Sequence, residues 1–398
     1  MKKLLSVLLL FPLLVMQVGA TESANVYPFG FASEQFWYEE AIPAAEFASR
    51  IGCKGCLLME ASTGKVLYAS HEQEELPIAS VTKVMATLLV MEAIDGGLLS
   101  LTDTVTVSER AASMGGSQVF LEPGEQMSVD DLLKSLIVVS ANDATVALAE
   151  AVCGSEEAFI AEMNAKAGEL GLAHTHFVNT NGLPAENHYS SAYDVALTTR
   201  ELLKHETVLR YTNIWMDTIR DGAFGLANTN KLIRFYEGAN GMKTGFTSEA
   251  GYCLSGTAKR NGMQLIAVVL GAETSGDRFA LAKQLLDYGF AGYELKTPDP
   301  ELPEFLPVTG GETDRVSLTC EPPALLVKKG SRGEIHRELS LPESVEAPVV
   351  IGEVVGTVSF CDENGVIAVS DIRAGAGVKK IGFSFTFHRI LTTLFGIF

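Results

Sequence analysis

Apolar residues recur along the chain with two spacings, and the change between them separates predicted strands from predicted helices. Two apolar runs flank the turn at 62–65 and predict a β-hairpin at about 56–70. Helical spacing follows the stretch 77–83, and Gly96-Gly97 ends that helix. Its apolar positions are Val81, Val84, Met85, Leu88, Leu89 and Met91. The stretch 77–83 is therefore a short connection that runs into a helix.

Further helices are separated by turn-rich segments. Ser128 begins a sequence that resembles a capping box and predicts a helix start before Leu132. The segment 98–127 carries turn signals and no clear period, so it is expected to be irregular. The other predicted helices lie at 44–50, 143–153 and 193–203.

Two apolar runs later in the chain predict paired strands. They cover 252–258 and 264–271 and are joined through Asn261-Gly262, a strong hairpin signal. The segment 243–246 lies on or beside a strand that neighbours them. We therefore expect an antiparallel sheet in this region.

From about 297 the character of the chain changes. Four prolines between 298 and 307 form a linker-like segment. The short β-type runs that follow this segment predict a small β-rich domain at 297–376, separate from a first domain at 40–295. We find no catalytic motif in the second domain. Its short β-type runs lie at 315–319, 324–328, 335–341, 349–360 and 366–370.

The amino-terminal segment has the pattern of an export signal. Lys2-Lys3 precede an apolar run at 4–16, and Val18-Gly19-Ala20 supply a small-residue cleavage site. A membrane-spanning anchor needs about 20 apolar residues, and this run is shorter. We therefore predict a signal peptide at 1–20.

The last twenty residues, 379–398, contain three basic residues and no acidic one. This combination favours an amphipathic helix that binds the outer leaflet of the cytoplasmic membrane. A spanning helix and a core helix are the alternatives. With the predicted signal peptide, this tail leads us to expect an exported protein at the outer face of the cytoplasmic membrane. The apolar side chains at helical spacing are Phe383, Phe387, Ile390, Leu391, Leu394 and Phe395.

Composition narrows the possible partners. The 398 residues include 49 acidic and 30 basic side chains, and the formal net charge of −19 argues against nucleic acid as a partner. Cys53-Lys54-Gly55-Cys56 has the spacing of a redox or zinc motif, but no second pair at zinc spacing follows. Buried thiols are favoured for the six cysteines, and their redox state stays open. His174 and His176 lack a third ligand, so no metal site is expected.

The first candidate for chemistry lies at the start of the helix after the hairpin. Ser80 and Lys83 are one turn apart on one face, close enough for the amine to take the hydroxyl proton. The helix dipole also favours an alkoxide at Ser80. Ser62-Thr63-Gly64-Lys65 has the same spacing but falls in the predicted hairpin turn. Ser80 is therefore the candidate nucleophile.

A second candidate, Ser140-Ala141-Asn142, lies in the tight connection between two predicted helices. Ser140 is a second hydroxyl that can relay a proton to a leaving amine. Asn142 is either a helix N-cap or an amide that holds a substrate carbonyl. The third candidate, Lys243-Thr244-Gly245, lies on or beside a strand, where a missing side chain at Gly245 lets a substrate backbone approach.

These three motifs, in this order, resemble those of the penicillin-recognising serine acyl-transferases. The surrounding sequence is similar to that of the serine-type D-alanyl-D-alanine carboxypeptidases, the low-molecular-mass penicillin-binding proteins. The resemblance covers roughly 40–385. It implies an α/β (α+β) fold of the β-lactamase/transpeptidase type, with an antiparallel sheet flanked by helices and a small β-rich carboxy-terminal domain. The matching stretches are Thr63-Gly64-Lys65-Val66-Leu67-Tyr68, 177–183 and Tyr189-Ser190-Ser191-Ala192.

The resemblance implies a role for each catalytic residue. Ser80 would attack the carbonyl between two D-alanines, with Lys83 as its base. Lysine has an ordinary pKa of about 10.4, and a protonated amine cannot act as a base. Burial and the like charge of Lys243 must therefore lower the pKa of Lys83. Ser140 would deliver the proton to the departing D-alanine, and Asn142 would orient Lys83 and the substrate amide.

The resemblance also implies the substrate contacts. Lys243 would provide positive potential and Thr244 would hold the terminal carboxylate, beside the backbone of Gly245. The oxyanion would lie between the backbone amides of Ser80 and Phe246. Arg278 would help to bind the carboxylate, or it is a surface arginine.

The implied partners are a peptidoglycan pentapeptide substrate and β-lactams as covalent inhibitors, with no cofactor and no metal. In some relatives an arginine stands in an Asn-Arg-Asn run before the Lys-Thr-Gly strand. Here Asn228-Thr229-Asn230 takes its place, which affects the expected substrate preference.

Two other classes of function are compatible with parts of this pattern. A class A β-lactamase would place a deacylating glutamate near 165–187 in a Glu-x-x-x-Asn setting, but Glu169 is expected in a helix and Glu186 lacks that setting. Turnover of penicillin would favour that class. A non-catalytic peptidoglycan-binding protein would leave the complete set of reactive residues unexplained, and absence of D-alanine release would favour it.

Overall fold

The structure is a computed structural model that describes residues 52–330, 335–362 and 365–396. The predicted signal peptide at 1–20 and the predicted helix at 44–50 lie outside the described residues.

Ten α-helices occur in the described part of the chain, several of them only one turn long. Short 3-10 helices at Ala79–Thr82 and Glu206–Val208 precede two of them. The helices are α1 (Lys83–Asp95), α2 (Glu109–Ala112), α3 (Val129–Val138), α4 (Asn142–Cys153), α5 (Glu156–Glu169), α6 (Ala192–Leu202), α7 (Leu209–Thr212), α8 (Leu232–Phe235), α9 (Ser275–Gly292) and α10 (Phe383–Phe395).

The strands fall into a group before α9 and a group after it. The first group is β1 (Gly55–Glu60), β2 (Val66–Ser70), β3 (Thr104–Thr106), β4 (Gln126–Ser128), β5 (Met216–Ile219), β6 (Phe224–Ala227), β7 (Ala239–Thr247), β8 (Gly251–Arg260) and β9 (Met263–Ala272). The second group is β10 (Tyr293–Lys296), β11 (Phe305–Thr309), β12 (Arg315–Cys320), β13 (Leu325–Lys328), β14 (His336–Ser340), β15 (Val345–Glu346), β16 (Val354–Asp362) and β17 (Gly365–Ala374).

The central element is a five-stranded antiparallel sheet in the order β2-β1-β9-β8-β7. Helix α9 packs against β9, β8 and β1, while α6 packs against β9 and β1 as part of the other layer. Alternate side chains of β1 enter different cores: Leu57 lies in one, and Leu58 lies in the other. Because both faces are covered, the central strands are continuous apolar runs, and the expected α/β fold is confirmed.

Two turns predicted from sequence have clear physical causes. Asn261 and Gly262 have φ angles of 48° and 82°, which suits the two-residue turn between β8 and β9. In the first hairpin, the buried Glu60 carboxylate accepts hydrogen bonds from the backbone N–H groups and hydroxyls of Ser62 and Thr63. The Ser62 motif is thus held as a turn, as predicted, with Lys65 exposed.

The start of α3 confirms the predicted cap, since Ser128 Oγ accepts the N–H of Asp131 at 3.1 Å. The segment 98–127 was expected to be irregular, but it contains β3, α2 and most of β4. Strands of three residues and a single helical turn are too short to produce a readable period. The two strands are recognisable only in the folded chain, where β3 pairs with β4.

The chain after α9 forms a six-stranded sheet in the order β14-β16-β17-β12-β11-β15, so the β-rich domain is confirmed. Strand β11 starts inside the predicted linker and includes Pro307. The expected boundary between 295 and 297 falls at the end of β10, which pairs with β13.

The last helix among the described residues is α10, which has an exposed apolar side. The exposed fractions are 86% for Phe383, 53% for Phe387, 50% for Ile390 and 71% for Leu394. This exposure contradicts the core-helix alternative. No helix among the described residues has both the length and the apolar character needed to cross a membrane.

Candidate active site

Ser80 lies in the 3-10 turn before α1. Two glycines from different segments of the chain are in close contact with this turn. A Cβ on Gly182 would lie 1.9 Å from the carbonyl oxygen of Ala79. A Cβ on Gly245 would lie 2.8 Å from Ile78 O and 2.9 Å from Ser80 N. The absent side chain of Gly245 therefore makes room for the enzyme's own turn, whereas the sequence suggested room for a substrate backbone. The contact brings β7 against the candidate nucleophile.

Lys83 is fully buried beneath Ser80. Its Nζ lies 3.1 Å from Ser80 Oγ, 2.7 Å from Asn142 Oδ1 and 2.7 Å from the backbone oxygen of Asn181. Burial, reinforced by the charge of Lys243, holds the pKa of Lys83 well below its usual value, against an opposing effect of Asp143. A neutral amine has two N–H donors for the two carbonyl oxygens, which leaves its lone pair for the Ser80 hydroxyl.

Asn142 is the first residue of α4, and Ala141 occupies the cap position. The N-cap interpretation of Asn142 is therefore wrong. Its side-chain oxygen faces Lys83, and its Nδ2 donates to the carbonyl of Gly115 at 2.6 Å. These two contacts fix the orientation of the amide, and the second N–H of Nδ2 is left for a substrate carbonyl.

Ser140 lies immediately before this helix with φ of 66°. Its Oγ is buried and has no hydrogen-bond partner among the residues that the structure describes. A buried hydroxyl without a protein partner is unusual, and it leaves Ser140 Oγ able to hydrogen-bond to a bound molecule.

Lys243 and Thr244 lie on β7, an edge strand of the central sheet. Lys243 is buried and donates from Nζ to the carbonyl of Thr244 at 2.9 Å. Burial and the nearby Arg278 lower the pKa of Lys243 to about 7. The Thr244 hydroxyl donates to Thr229 Oγ1 at 2.7 Å. Thr229, the residue at the position where an arginine was expected from the resemblance, therefore lies beside the Lys-Thr-Gly motif.

Arg278 is buried, and the surface-arginine alternative is wrong. Its Nη1 donates to the carbonyls of Gly245 at 2.9 Å and Cys253 at 3.2 Å, and its guanidinium lies 5.3 Å from the ring centroid of Tyr252. Phe246 is half exposed and packs on the same tyrosine, with ring centroids 4.3 Å apart. Arg278 therefore supports the strand that carries the motif.

Several contact residues were not assigned a role from sequence. Asn181 contributes a backbone oxygen, and such a contact leaves no side-chain signal. Asp143 follows Asn142 directly, and its buried carboxylate accepts the N–H groups of Val119 and Leu121. Its position next to a motif was the only available signal.

Other candidates from the sequence stay away from this chemistry. Glu169 is exposed and pairs with Lys166 at 2.6 Å, and Glu186 is exposed, so neither has the setting of a deacylating glutamate. All six cysteines are free; Cys56 and Cys253 are buried as expected, but the other four are only half-buried.

The fold and the site together define a class of serine hydrolases in which a lysine one turn after the serine takes the place of histidine as base. A sequence model of the D-alanyl-D-alanine carboxypeptidase family matches residues 42–274, and one of the penicillin-binding protein 5 C-terminal domain matches 301–380. The chain belongs to the D-alanyl-D-alanine carboxypeptidase family.

Individual relatives are similar to this protein over most of the chain. A D-alanyl-D-alanine carboxypeptidase from Bacillus subtilis, DacF, is 43% identical over 360 residues, which cover 89% of this chain and 92% of that protein. Penicillin-binding protein 5 from Haemophilus influenzae has a TM-score of 0.71 at 31% identity, over 83% of this chain and 98% of that one.

A second similar structure contains a bound β-lactam. Penicillin-binding protein D2 from Listeria monocytogenes, in its ampicillin-bound form, has a TM-score of 0.56 at 33% identity. The match covers 61% of this chain and 98% of that chain.

Proposed function

We propose that this enzyme removes the terminal D-alanine from peptidoglycan pentapeptide stems through an acyl-enzyme on Ser80. The observation that carries this proposal is the buried Lys83 amine, 3.1 Å from Ser80 Oγ and held by two carbonyl oxygens. Membership of the carboxypeptidase family supports the reaction and the substrate.

Acylation begins when Ser80 Oγ attacks the carbonyl between the two D-alanines and Lys83 accepts the hydroxyl proton. The backbone N–H groups of Ser80 and Phe246 stabilise the oxyanion, at about 3 kcal/mol for each donor. As the intermediate collapses and the C–N bond breaks, the Ser140 hydroxyl gives its proton to the amine of the departing D-alanine and takes one from the Lys83 ammonium, which returns Lys83 to its neutral form. Water then hydrolyses the acyl-enzyme.

Substrate binding uses the second half of the site. Lys243 supplies positive potential for the terminal carboxylate, and the Thr244 hydroxyl turns from Thr229 to donate a hydrogen bond to it. Arg278 supports this end of the site through the carbonyl of Gly245. The Asn142 amide binds the carbonyl of the preceding part of the stem. β-Lactams acylate Ser80 by the same route.

Time-resolved intact mass with benzylpenicillin tests the nucleophile. The matched variants are Ser80→Ala and Ser62→Ala, since Ser62 has the same Ser-x-x-Lys spacing but lies in a turn. We expect a persistent adduct on the parent and on Ser62→Ala, and none on Ser80→Ala. An adduct on folded Ser80→Ala contradicts the proposal.

The same experiment separates the other functions. A short-lived adduct with rapid consumption of penicillin indicates a β-lactamase. A folded parent that forms no adduct and releases no D-alanine from a pentapeptide indicates a non-catalytic binding protein.

We also propose that the protein is exported and that α10 binds the membrane surface. The exposed side of this helix contains Phe383, Phe387, Ile390 and Leu394, which recur every three or four residues. The nearby Lys379 and Lys380 add attraction to anionic lipid.

Sedimentation with phosphatidylglycerol-containing vesicles tests the tail. The double variant Phe383→Asp/Phe387→Asp is expected to lower binding at least about tenfold. Ser384→Asp/His388→Asp adds the same charge on another side of the helix, and we expect a change below about threefold. Equal losses in both variants would contradict the proposed contact face.

A further inference from the structure

His188 is a buried histidine outside the three motifs, and its two ring nitrogens have different partners. Nδ1 lies 3.0 Å from the backbone nitrogen of Val178, whose N–H donates to it. Nε2 lies 2.8 Å from Thr82 Oγ1. Because Nδ1 accepts, the proton of the neutral ring is on Nε2, which donates to the Thr82 hydroxyl.

The hydrogen-bond chain continues into the turn of the candidate nucleophile. The Thr82 hydroxyl donates to the backbone carbonyl of Ala79 at 2.8 Å. Ala79 immediately precedes Ser80 and has a φ of 47°, a conformation that alanine adopts rarely. An otherwise unfavourable backbone conformation beside Ser80 is thus held by a bond that begins at His188.

The segment 178–188 touches the same turn at two further points. The backbone of Gly182 lies directly against Ala79 O, and the carbonyl of Asn181 accepts a hydrogen bond from Lys83 at 2.7 Å. His188 therefore makes one of three contacts that join this segment to Ala79, Thr82 and Lys83, the residues on either side of Ser80.

We propose that His188 is a positioning residue for the nucleophile. Its Nε2–H orients the Thr82 hydroxyl, which fixes the Ala79 peptide and thereby keeps Ser80 Oγ in line with the Lys83 amine. His188 exchanges no proton with the substrate. The inference rests on the proposed role of Ser80 as nucleophile.

The surroundings of His188 keep its ring neutral. Its ring contacts the edge of Phe177, with centroids 5.9 Å apart, and the titratable groups that face it are His176 and Lys83. Burial, with smaller effects of these two groups, lowers the pKa of His188 to about 4. Protonation would place a second N–H opposite that of Val178 and break the arrangement.

Steady-state release of D-alanine from a D-alanyl-D-alanine peptide tests the proposal. His188→Phe fills the site but cannot hydrogen-bond, and we expect kcat to fall about 10- to 100-fold with KM within about threefold. His188→Gln retains one acceptor and one donor and should stay within about fivefold of the parent. His174→Phe, at a partly exposed histidine, is the control and should leave kcat unchanged.

A double-mutant cycle distinguishes positioning from general loss of packing. Thr82→Val removes the hydroxyl between His188 and Ala79, so it should lower kcat about as much as His188→Phe. The combined variant should be no slower than either single variant. Thr82→Ser keeps the hydroxyl and should restore most of the activity.

Three outcomes would overturn the inference: a folded His188→Phe enzyme with kcat within twofold of the parent, an increase confined to KM, or multiplicative effects in the combined variant. If His188→Phe does not fold, the Thr82→Val and Thr82→Ser pair decides the question alone. The Ser80→Ala mass experiment is independent, because an adduct on that variant would refute the nucleophile rather than the role of His188.

Discussion

The catalytic centre and helix α10 use polar and apolar side chains in opposite ways. In the centre, two lysines are buried, and each hydrogen-bonds to carbonyl oxygens of the enzyme. In α10, phenylalanine and leucine side chains are exposed. Burial lowers the pKa of both lysine amines, whereas the exposed rings of Phe383 and Phe387 stack on each other, with centroids 5.9 Å apart.

The contrast shows where each function is completed. Burial of a cation is unfavourable unless its charge is lost or compensated, so the fold itself creates the chemistry of Lys83. Exposure of an apolar helix face is unfavourable in water and is relieved when a surface covers it. One region is complete in the isolated chain, and the other is expected to act only at a membrane.

The largest expected effect comes from removing the base. Lys83→Met should lower the rate of acylation by penicillin at least about 10³-fold, because Ser80 loses its proton acceptor. Lys65→Met changes the lysine of the other Ser-x-x-Lys sequence and should have no effect. Intact-mass measurement of the acylation rate tests this prediction. If Lys83→Met lowers that rate by less than tenfold, another group accepts the proton.

The next effect concerns the close backbone contact at Gly182. Gly182→Ala combines a positive φ with a Cβ 1.9 Å from Ala79 O, so we expect a loss of about 3 kcal/mol in the free energy of unfolding. Gly222→Ala shares the positive φ but has open space, and about 1 kcal/mol is expected. Urea unfolding measures both. Equal losses would show that backbone conformation, not the contact, requires Gly182.

A smaller effect should appear in the pH dependence. As pH falls, protonation of Lys83 removes the base and kcat/KM decreases. As pH rises above about 7, Lys243 loses its charge, and KM for a carboxylate-terminated peptide should rise about tenfold.

Lys243→Arg separates these two limbs, because arginine keeps its charge at high pH. This variant should lose the alkaline rise in KM and retain the acid limb. A parent KM that stays constant between pH 6 and 9 would rule out Lys243 as the titrating group.

The smallest effect on catalysis is expected when helix α10 is removed. Deletion of 383–398 should change kcat/KM for a soluble peptide by less than about twofold, because none of the catalytic contacts involves α10. Vesicle binding should be lost in the same protein. A large loss of turnover on the soluble peptide would mean that the tail also supports the catalytic domain.

The fold was predictable where local sequence carries a physical signal. The Asn261-Gly262 turn, the Ser128 cap and the apolar periods of α1, β8 and β9 were all placed correctly. The short elements within 98–127 were missed because three or four residues contain no full period. Strand β11 was missed because its proline suggested a linker.

The sequence by itself determined the order of the elements, the three reactive motifs and the hydrophobic tail, since periodicity and turn chemistry act between neighbouring residues. Only the tertiary structure decided that Lys83 meets Asn142, 59 residues away, and the carbonyl of Asn181, 98 residues away. It also buried Arg278 and placed Gly182 and Gly245 against the Ser80 turn. Burial and pKa depend on which distant segments pack together, and no local pattern encodes that.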